Sequence, residues 1–114
     1  MKKKVTKIKH VNFVPFDRYG EPIANLYWHN ISFDKETGHG SYILKFDTGG
    51  ESLPHEHLGF EEFFVLDGNL KDSDNSVYVP GDFVTFEPGS KHFSVSDGGC
   101  MLLVFMRGKN RPLE

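Results

Sequence analysis

The sequence is poor in cysteine and lacks long apolar runs. Its single cysteine, Cys100, excludes a disulfide within the chain, a composition typical of the reducing cytoplasm, although a cysteine-poor periplasmic protein would look the same. The longest apolar run, 100–106, is far below the roughly 20 residues that span a bilayer. No signal peptide follows the lysine-rich start. We therefore expect a soluble, cytoplasmic protein without a membrane partner.

Positive charge is scarce outside the N-terminus. The 114 residues carry a formal net charge of −3. The first ten residues concentrate the basic side chains Lys2, Lys3, Lys4, Lys7 and Lys9. The remainder is acidic and therefore a poor surface for nucleic acid. We expect no nucleic-acid partner and interpret the lysine run as a solvated terminus.

The sequence also lacks helical periodicity. No segment combines a sustained helical period with caps at both ends. Turn signals rich in Gly, Pro and Asp instead separate short runs of aromatic and β-branched residues, including 42–46, 62–66, 83–86 and 101–105. The chain has eleven Phe, which suit a barrel interior filled by large rings. The pattern predicts one all-β domain, a sandwich or a barrel.

Two details of this pattern predict local structure. Asp67-Gly68 stands between two strand-like runs, which is typical of a two-residue hairpin. The runs 62–66 and 101–105 are apolar at both parities, so both faces of those strands need cover. We expect a second sheet or a second subunit on the outer face, and hence a homodimer.

Chemistry other than metal chemistry has little support in the sequence. No Ser, His and acid arrangement favours acyl transfer, and no glycine loop suits a phosphate. His10, His29 and His39 have no partner pattern. The segment 72–75 resembles a calcium loop but lacks the downstream Gly and Glu, so we interpret it as a polar turn. Cys100 opens an apolar strand, where a buried inert thiol is the usual case and a redox role needs an exposed one.

Three histidines and an acid form a candidate metal site. Residues two apart on a strand share a face, so His55 and His57 can bind one ion. His92 supplies a third imidazole from further along the chain. A carboxylate at Glu61 or Glu62 requires the chain to bend, and Gly59 lies at the right place. The alternation of side chains allows only one of the two acids to face inward and does not choose between them.

These residues resemble the two cupin motifs. The first motif, a glycine, His-x-His, a glutamate and a closing glycine, is matched by Gly49, His55, His57, Glu61 and Gly68. That match favours Glu61 over Glu62. The segment 81–92 resembles the second motif, whose final histidine is His92. Glu87 stands where the motif usually has Pro, and Ser96 where it often has Asn.

The resemblance extends from about Tyr27 to Arg107 and is nearest to the ChrR-type cupins. It implies a single-domain cupin jelly-roll barrel over 26–109, with an N-terminal arm and first strand at 1–25 and a C-terminal tail at 110–114. It also implies one divalent metal held by His55, His57, Glu61 and His92, with zinc or iron first and manganese or nickel as further choices. His92, Ser94 and Ser96 share one face of their strand. This polar face suits either a small-molecule cavity beside the metal or contact with solvent.

Two functions follow from the resemblance. The chain is also similar to the acetylacetone and dihydroxyacetophenone dioxygenases, which hold non-haem iron with three histidines. That likeness implies a metal-dependent dioxygenase acting on a small ketone or phenolic compound. The ChrR-type likeness implies instead a zinc-bound sensory, regulatory or small-molecule-binding module without catalysis, since four protein ligands close the shell of zinc. Glu62 is a second-choice acid or base near the site.

Overall fold

The computed structural model describes residues 1–113, and within them the regular structure is almost entirely β. The strands are β1 (Val14–Pro15), β2 (Leu26–Asn30), β3 (His39–Phe46), β4 (Gly50–His57), β5 (Phe60–Gly68), β6 (Leu70–Asp72), β7 (Val77–Tyr78), β8 (Phe83–Phe86), β9 (Lys91–Ser96), β10 (Cys100–Arg107) and β11 (Asn110–Pro112). A short 3₁₀ turn, Ile8–His10, precedes them. Residues 1–113 contain no helix with the length and hydropathy of a membrane span.

The strands form two antiparallel sheets. The larger sheet has the order β1-β2-β3-β10-β5-β8, and the smaller has the order β11-β4-β9-β6-β7. Sequence neighbours such as β4 and β5 lie in different sheets, so the chain repeatedly crosses between layers. This arrangement of two facing sheets confirms the predicted all-β jelly-roll barrel.

The core between the sheets is filled by aromatic rings, as the composition predicts. Phe16, Trp28, Phe33 and Tyr42 are buried and contact one another, mostly edge to face, with ring centroids 5.0–6.1 Å apart. Edge-to-face contact suits the charge distribution of aromatic rings. Trp28 is therefore a core residue.

The alternation along β5 places one acid inside and one outside. Glu61 is buried, as are the two residues that follow it at the same parity, Phe63 and Val65. Glu62 faces outward, where it accepts hydrogen bonds from Thr85 Oγ1 at 2.9 Å and from Arg107 Nη2 at 3.4 Å. The inward acid is the one that the motif match favours.

The outer face of the larger sheet keeps apolar side chains in contact with solvent. Phe83 and Phe105 stack with centroids 6.1 Å apart while remaining 56% and 37% exposed. The chain itself therefore leaves part of this face uncovered, at the position where the sequence predicts a second covering layer.

The predicted hairpin at Asp67-Gly68 is wrong. β5 continues through Gly68, which pairs with Cys100 of β10, while β6 pairs with β7 and β9 in the other sheet. Gly68 is required for another reason: its φ is +70°, and a Cβ would lie 2.1 Å from the carbonyl oxygen of Gly99. The dipeptide marks a crossing between sheets, which local turn chemistry cannot distinguish from a hairpin.

Residues beyond 109 contribute to the sheet that carries the candidate site. β11 pairs with β4, with Asn110 opposite His57 and Pro112 opposite His55. A segment assigned to the C-terminal tail thus lies beside the candidate metal ligands.

Candidate metal centre

Two adjacent strands of the smaller sheet hold the three histidines. β4 carries His55 and His57 at inward, buried positions, and β9 places His92 directly opposite His55. A register shift in β4 between Ser52 and His55 precedes the pair, and such irregularities re-aim the side chains that follow. His55 and His57 therefore lie on the same face of one strand, as their spacing in the sequence predicts.

Gly59 allows the carboxylate to reach the same point. The chain turns at residues 58–59 between β4 and β5, where a Cβ on Gly59 would lie 2.2 Å from the carbonyl oxygen of Arg107. Only glycine fits so close an approach of two backbones. After the turn, Glu61 Oε2 lies 3.5 Å from His57 Nε2.

The four ligand atoms converge on one small volume. His55 Nε2 lies 3.2 Å from His57 Nε2 and 3.1 Å from His92 Nε2. One ligand atom from each of the four residues lies within 4.8 Å of every other. Two donors each about 2.1 Å from a shared ion, at tetrahedral or octahedral angles, are about 3.0–3.4 Å apart, so the spacing has the size of a coordination shell.

The Nδ1 atom of each of the three histidines donates a hydrogen bond to an oxygen atom that can only act as the acceptor. His55 Nδ1 lies 2.7 Å from the Leu53 carbonyl, and His92 Nδ1 lies 2.8 Å from Asp72 Oδ1. His57 Nδ1 lies 2.8 Å from Ser90 Oγ, whose own proton is donated to the carbonyl of Glu87. Each Nδ1 therefore carries the proton, and each Nε2 presents a lone pair inward.

The lone pair on His55 Nε2 faces those on His57 Nε2 and His92 Nε2 at 3.2 and 3.1 Å, and lone pairs this close repel one another unless a cation lies between them. The donor set of three neutral imidazoles and one carboxylate suits a divalent transition metal such as zinc or iron. The residues present thus fit a metal ion, and the partners on Nδ1 are those that usually orient metal-bound histidines.

Glu61 is held in its charged form. Burial by itself would raise its pKa, but His57 and His55, which attract the carboxylate when a ring takes up a proton, and a hydrogen bond from Asn110 together lower the pKa to about 2. Asn110 Nδ2 lies 3.1 Å from Glu61 Oε1. Because a carboxylate can only accept, the amide must turn its Nδ2 toward Glu61, which leaves Asn110 Oδ1 without a partner within residues 1–113.

Asp72 is a site residue that sequence reasoning missed. Besides accepting from His92, it accepts a hydrogen bond from the Tyr78 hydroxyl at 2.5 Å, and these contacts outweigh burial and lower its pKa. Its segment does form a polar turn, with Asn75 at φ +72°. The sequence does not reveal this role, because β6 comes to lie beside β9 only when these two separate segments pair in the folded sheet.

A small cavity adjoins the candidate ligands inside the barrel. It has a volume of about 40 Å³, with His55, Glu61, His92 and Ser94 on its polar side. The rest of its wall is mainly apolar, including Phe16, Tyr42, Leu44, Phe46, Phe63, Leu70, Leu102 and Val104.

Ser96, two residues beyond Ser94 on β9, is fully buried and donates to the Asn69 carbonyl at 2.6 Å. The serines of β9 therefore face inward, and the solvent alternative is wrong.

The remaining histidines take no part in the cluster. His10 and His39 are exposed, and His29 lies 3.3 Å from the carbonyl of Asn12 through its Nδ1.

Sequence comparison agrees with this geometry. A sequence model described as the ChrR Cupin-like domain matches residues 1–109. The chain belongs to the ChrR Cupin-like domain family. The match covers both cupin motifs and all four candidate ligands of this cupin. No curated protein matches the chain.

Solved structures of low sequence identity share the fold. An acetylacetone dioxygenase from Acinetobacter johnsonii is 17% identical, with a TM-score of 0.83 over all of this chain and 80% of the other. The polyketide cyclase RemF from Streptomyces resistomycificus is 20% identical, with a TM-score of 0.75 over 100% and 87% of the two chains. The Rhodobacter sphaeroides complex of SigE with the anti-sigma ChrR matches at 17% identity and a TM-score of 0.67, over 88% of this cupin and 50% of that chain. At these identities the likeness concerns the fold alone.

Proposed function

We propose that this cupin binds one divalent metal ion through His55, His57, Glu61 and His92 and uses it to act on a small carbonyl compound in the adjoining cavity. The observation that carries the proposal is the convergence of three inward Nε2 lone pairs beside the cavity. Iron is the ion that suits the dioxygenase version of this activity. A bound ion of this kind supplies Lewis-acid chemistry and, if it is iron, one-electron chemistry.

The protein's own contribution is charge and position. Glu61 is ionised and brings one negative charge to the two positive charges of the ion. The hydrogen bonds from His55 and His92 to Leu53 and Asp72 fix the ring orientations, so little reorganisation accompanies ion binding.

The cavity limits the size and polarity of the substrate. One water molecule needs about 10–15 Å³ by this measure, so a cavity of about 40 Å³ admits only a few non-hydrogen atoms. Its apolar wall favours alkyl groups, while its single polar side favours one or two oxygen atoms directed at the ion. A small ketone has this form, and a diketone or a phenolic ketone would need the wall to open.

A closed zinc site is the second candidate function. Four protein donors lie within 4.8 Å of one another, and four protein ligands are the number found in structural zinc sites without catalysis. In that case the module would sense or bind a small molecule, and the ion would hold the two sheets together.

Metal identity and turnover together separate these functions. The protein is loaded anaerobically with Fe(II) or with Zn(II), and oxygen consumption is followed with small diketones and phenolic ketones. Oxygen uptake with Fe(II) and a small diketone, absent in His55→Ala and retained in Glu62→Gln, supports the oxygenase. Tight zinc binding with no uptake by the Fe(II) form supports the sensing or binding module.

The exposed apolar face suits a second copy of this chain. Phe83 and Phe105 stack there in contact with solvent, and a homodimer formed through this face would cover them. Sedimentation of the protein and of its Phe83→Ser variant tests this, because a monomeric parent contradicts it.

A further inference from the structure

A second cavity lies behind the candidate metal centre and is lined by cations. Its volume is about 90 Å³. Its wall is formed by Arg18, Tyr19, Phe33, Lys35, Gly38, Lys109 and Asn110. Three of these seven residues are positively charged and none is acidic, although the whole chain carries a net negative charge. A cavity of this composition concentrates positive potential.

Arg18 is the buried centre of this cavity. It is 8% exposed, and its guanidinium lies 4.5 Å from the ring centroid of Phe33 and 5.1 Å from that of Tyr19. Burial would lower its pKa, but Tyr42, Tyr19 and Glu61 outweigh burial and raise it, so the group stays charged. The flanking rings hold the guanidinium in place through cation–π contact.

The guanidinium has hydrogen-bonding capacity left over. Arg18 Nη1 donates to the Tyr42 hydroxyl at 3.0 Å, whereas the group has five N–H donors in a fixed fork. Among residues 1–113, no carboxylate oxygen lies within 4.0 Å of Arg18. A buried arginine without an acidic partner is unusual, because buried charges are normally paired.

Asp17, the sequence neighbour of Arg18, and Glu61, which raises the pKa of Arg18, both have other partners. Asp17 lies 3.9 Å from Lys35 Nζ, in a pair whose side chains are both about half exposed. Glu61 lies beyond Asn110, which donates through Nδ2 both to Glu61 and to the Tyr19 hydroxyl. Tyr19 and Asn110 line both this cavity and the one beside the candidate ligands, so they form a wall between them.

We propose that this second cavity is a binding site for a small oxyanion of about phosphate size, held by the Arg18 fork with Lys35 and Lys109 at the rim. Planar guanidinium groups bind carboxylate and phosphate oxygens in pairs, and lysine adds a mobile point charge. The volume has room for about six water molecules, which suits a phosphate or a short carboxylate and excludes a nucleotide.

The test is calorimetric titration of metal-free protein with inorganic phosphate, at an ionic strength held constant with sodium chloride. Removing metal prevents phosphate from binding at the other centre, so the result does not depend on the proposed metal chemistry. We expect saturable binding of one phosphate per chain, with acetate binding more weakly and chloride not competing.

Matched double variants separate a built site from general charge. Lys35→Gln with Lys109→Gln is expected to weaken phosphate binding at least fivefold. Lys45→Gln with Lys71→Gln removes the same charge away from the cavity and is expected to leave binding unchanged.

Arg18→Met is expected to abolish binding, and circular dichroism with a melting curve shows whether this variant folds. If it does not fold, the surface lysine variants still test the proposal. Absence of saturable binding, or equal loss in both double variants, would overturn the proposal.

Discussion

Asp72 Oδ1 accepts a hydrogen bond from His92 Nδ1 at 2.8 Å, so an acid at the end of β6 orients a candidate metal ligand on β9. The contact fixes the tautomer that turns His92 Nε2 inward. Asp72 is thus a positioning residue for the candidate metal centre, and it is itself held by Tyr78.

Replacing Asp72 with Ala is expected to weaken metal binding about 10- to 100-fold, which is typical for loss of the outer partner of a metal-bound histidine. Competition with a fluorescent chelator measures the affinity. Asp74→Ala is the control, since Asp74 lies on the exposed turn and accepts a hydrogen bond from the backbone of Ser76. Equal losses in the two variants would contradict an orienting role.

Glu61 and Glu62 form a natural pair for testing the carboxylate ligand. Glu61→Gln removes a buried charge beside three imidazoles and is expected to lower metal affinity, whereas Glu62→Gln changes an outward residue and is expected to have little effect. Metal titration of both variants checks this. The reverse order would assign the ligand role to the outward acid.

Gly59→Ala is expected to destabilise the protein by about 1–3 kcal/mol or more, because the added methyl group must displace backbone. It is also expected to weaken metal binding, since the turn positions Glu61 relative to His57. Gly98→Ala is the control, because a Cβ there meets nothing within 4 Å. Urea unfolding measures both variants, and a Gly59→Ala protein as stable as the parent would contradict the close approach.

The thiol of Cys100 is expected to be inert. Burial, which outweighs the lowering influence of the neighbouring Ser96, raises its pKa to about 11. At pH 8 roughly one thiol in a thousand is then ionised, compared with roughly one in four for a free thiol, whose pKa is about 8.5. Alkylation by iodoacetamide should be much slower in the native protein than in urea. Equal rates would reopen a redox role.

Metal retention is expected to fall as pH decreases, because protons compete for the imidazoles. Burial, opposed by Glu61, lowers the pKa of His55, and the pKa of Glu61 is about 2, so both groups keep their metal-binding forms at pH 7. A buried histidine whose pKa is lowered resists protonation, so release should begin below the pH of about 6.5 at which a free histidine charges. Dialysis across pH 4–8 with metal analysis measures this, and retention independent of pH would contradict histidine ligation.

Much of the fold and most of the candidate site follow from local sequence patterns. Side-chain alternation places His55 and His57 on one face, and the need for a bend identifies Gly59. The choice of Glu61 over Glu62 required the motif match, because both parities of β5 are otherwise alike.

Other features depend on contacts between distant segments. The Asp67-Gly68 pair has the chemistry of a hairpin, yet the register of β5 with β10 makes it part of a strand. Asp72 and Asn110 reach the site through strand pairings with β9 and β4. No spacing along the chain encodes those pairings, so neither residue was predicted.

The central claim is tested most directly by elemental analysis of untagged protein purified anaerobically without chelator, beside the His92→Ala variant. We predict about one equivalent of iron or zinc per chain in the parent and a large loss in the variant, with circular dichroism showing that both are folded. Absence of metal from a parent that also fails to take up added iron or zinc, or full retention in the variant, would contradict a metal centre formed by His55, His57, Glu61 and His92.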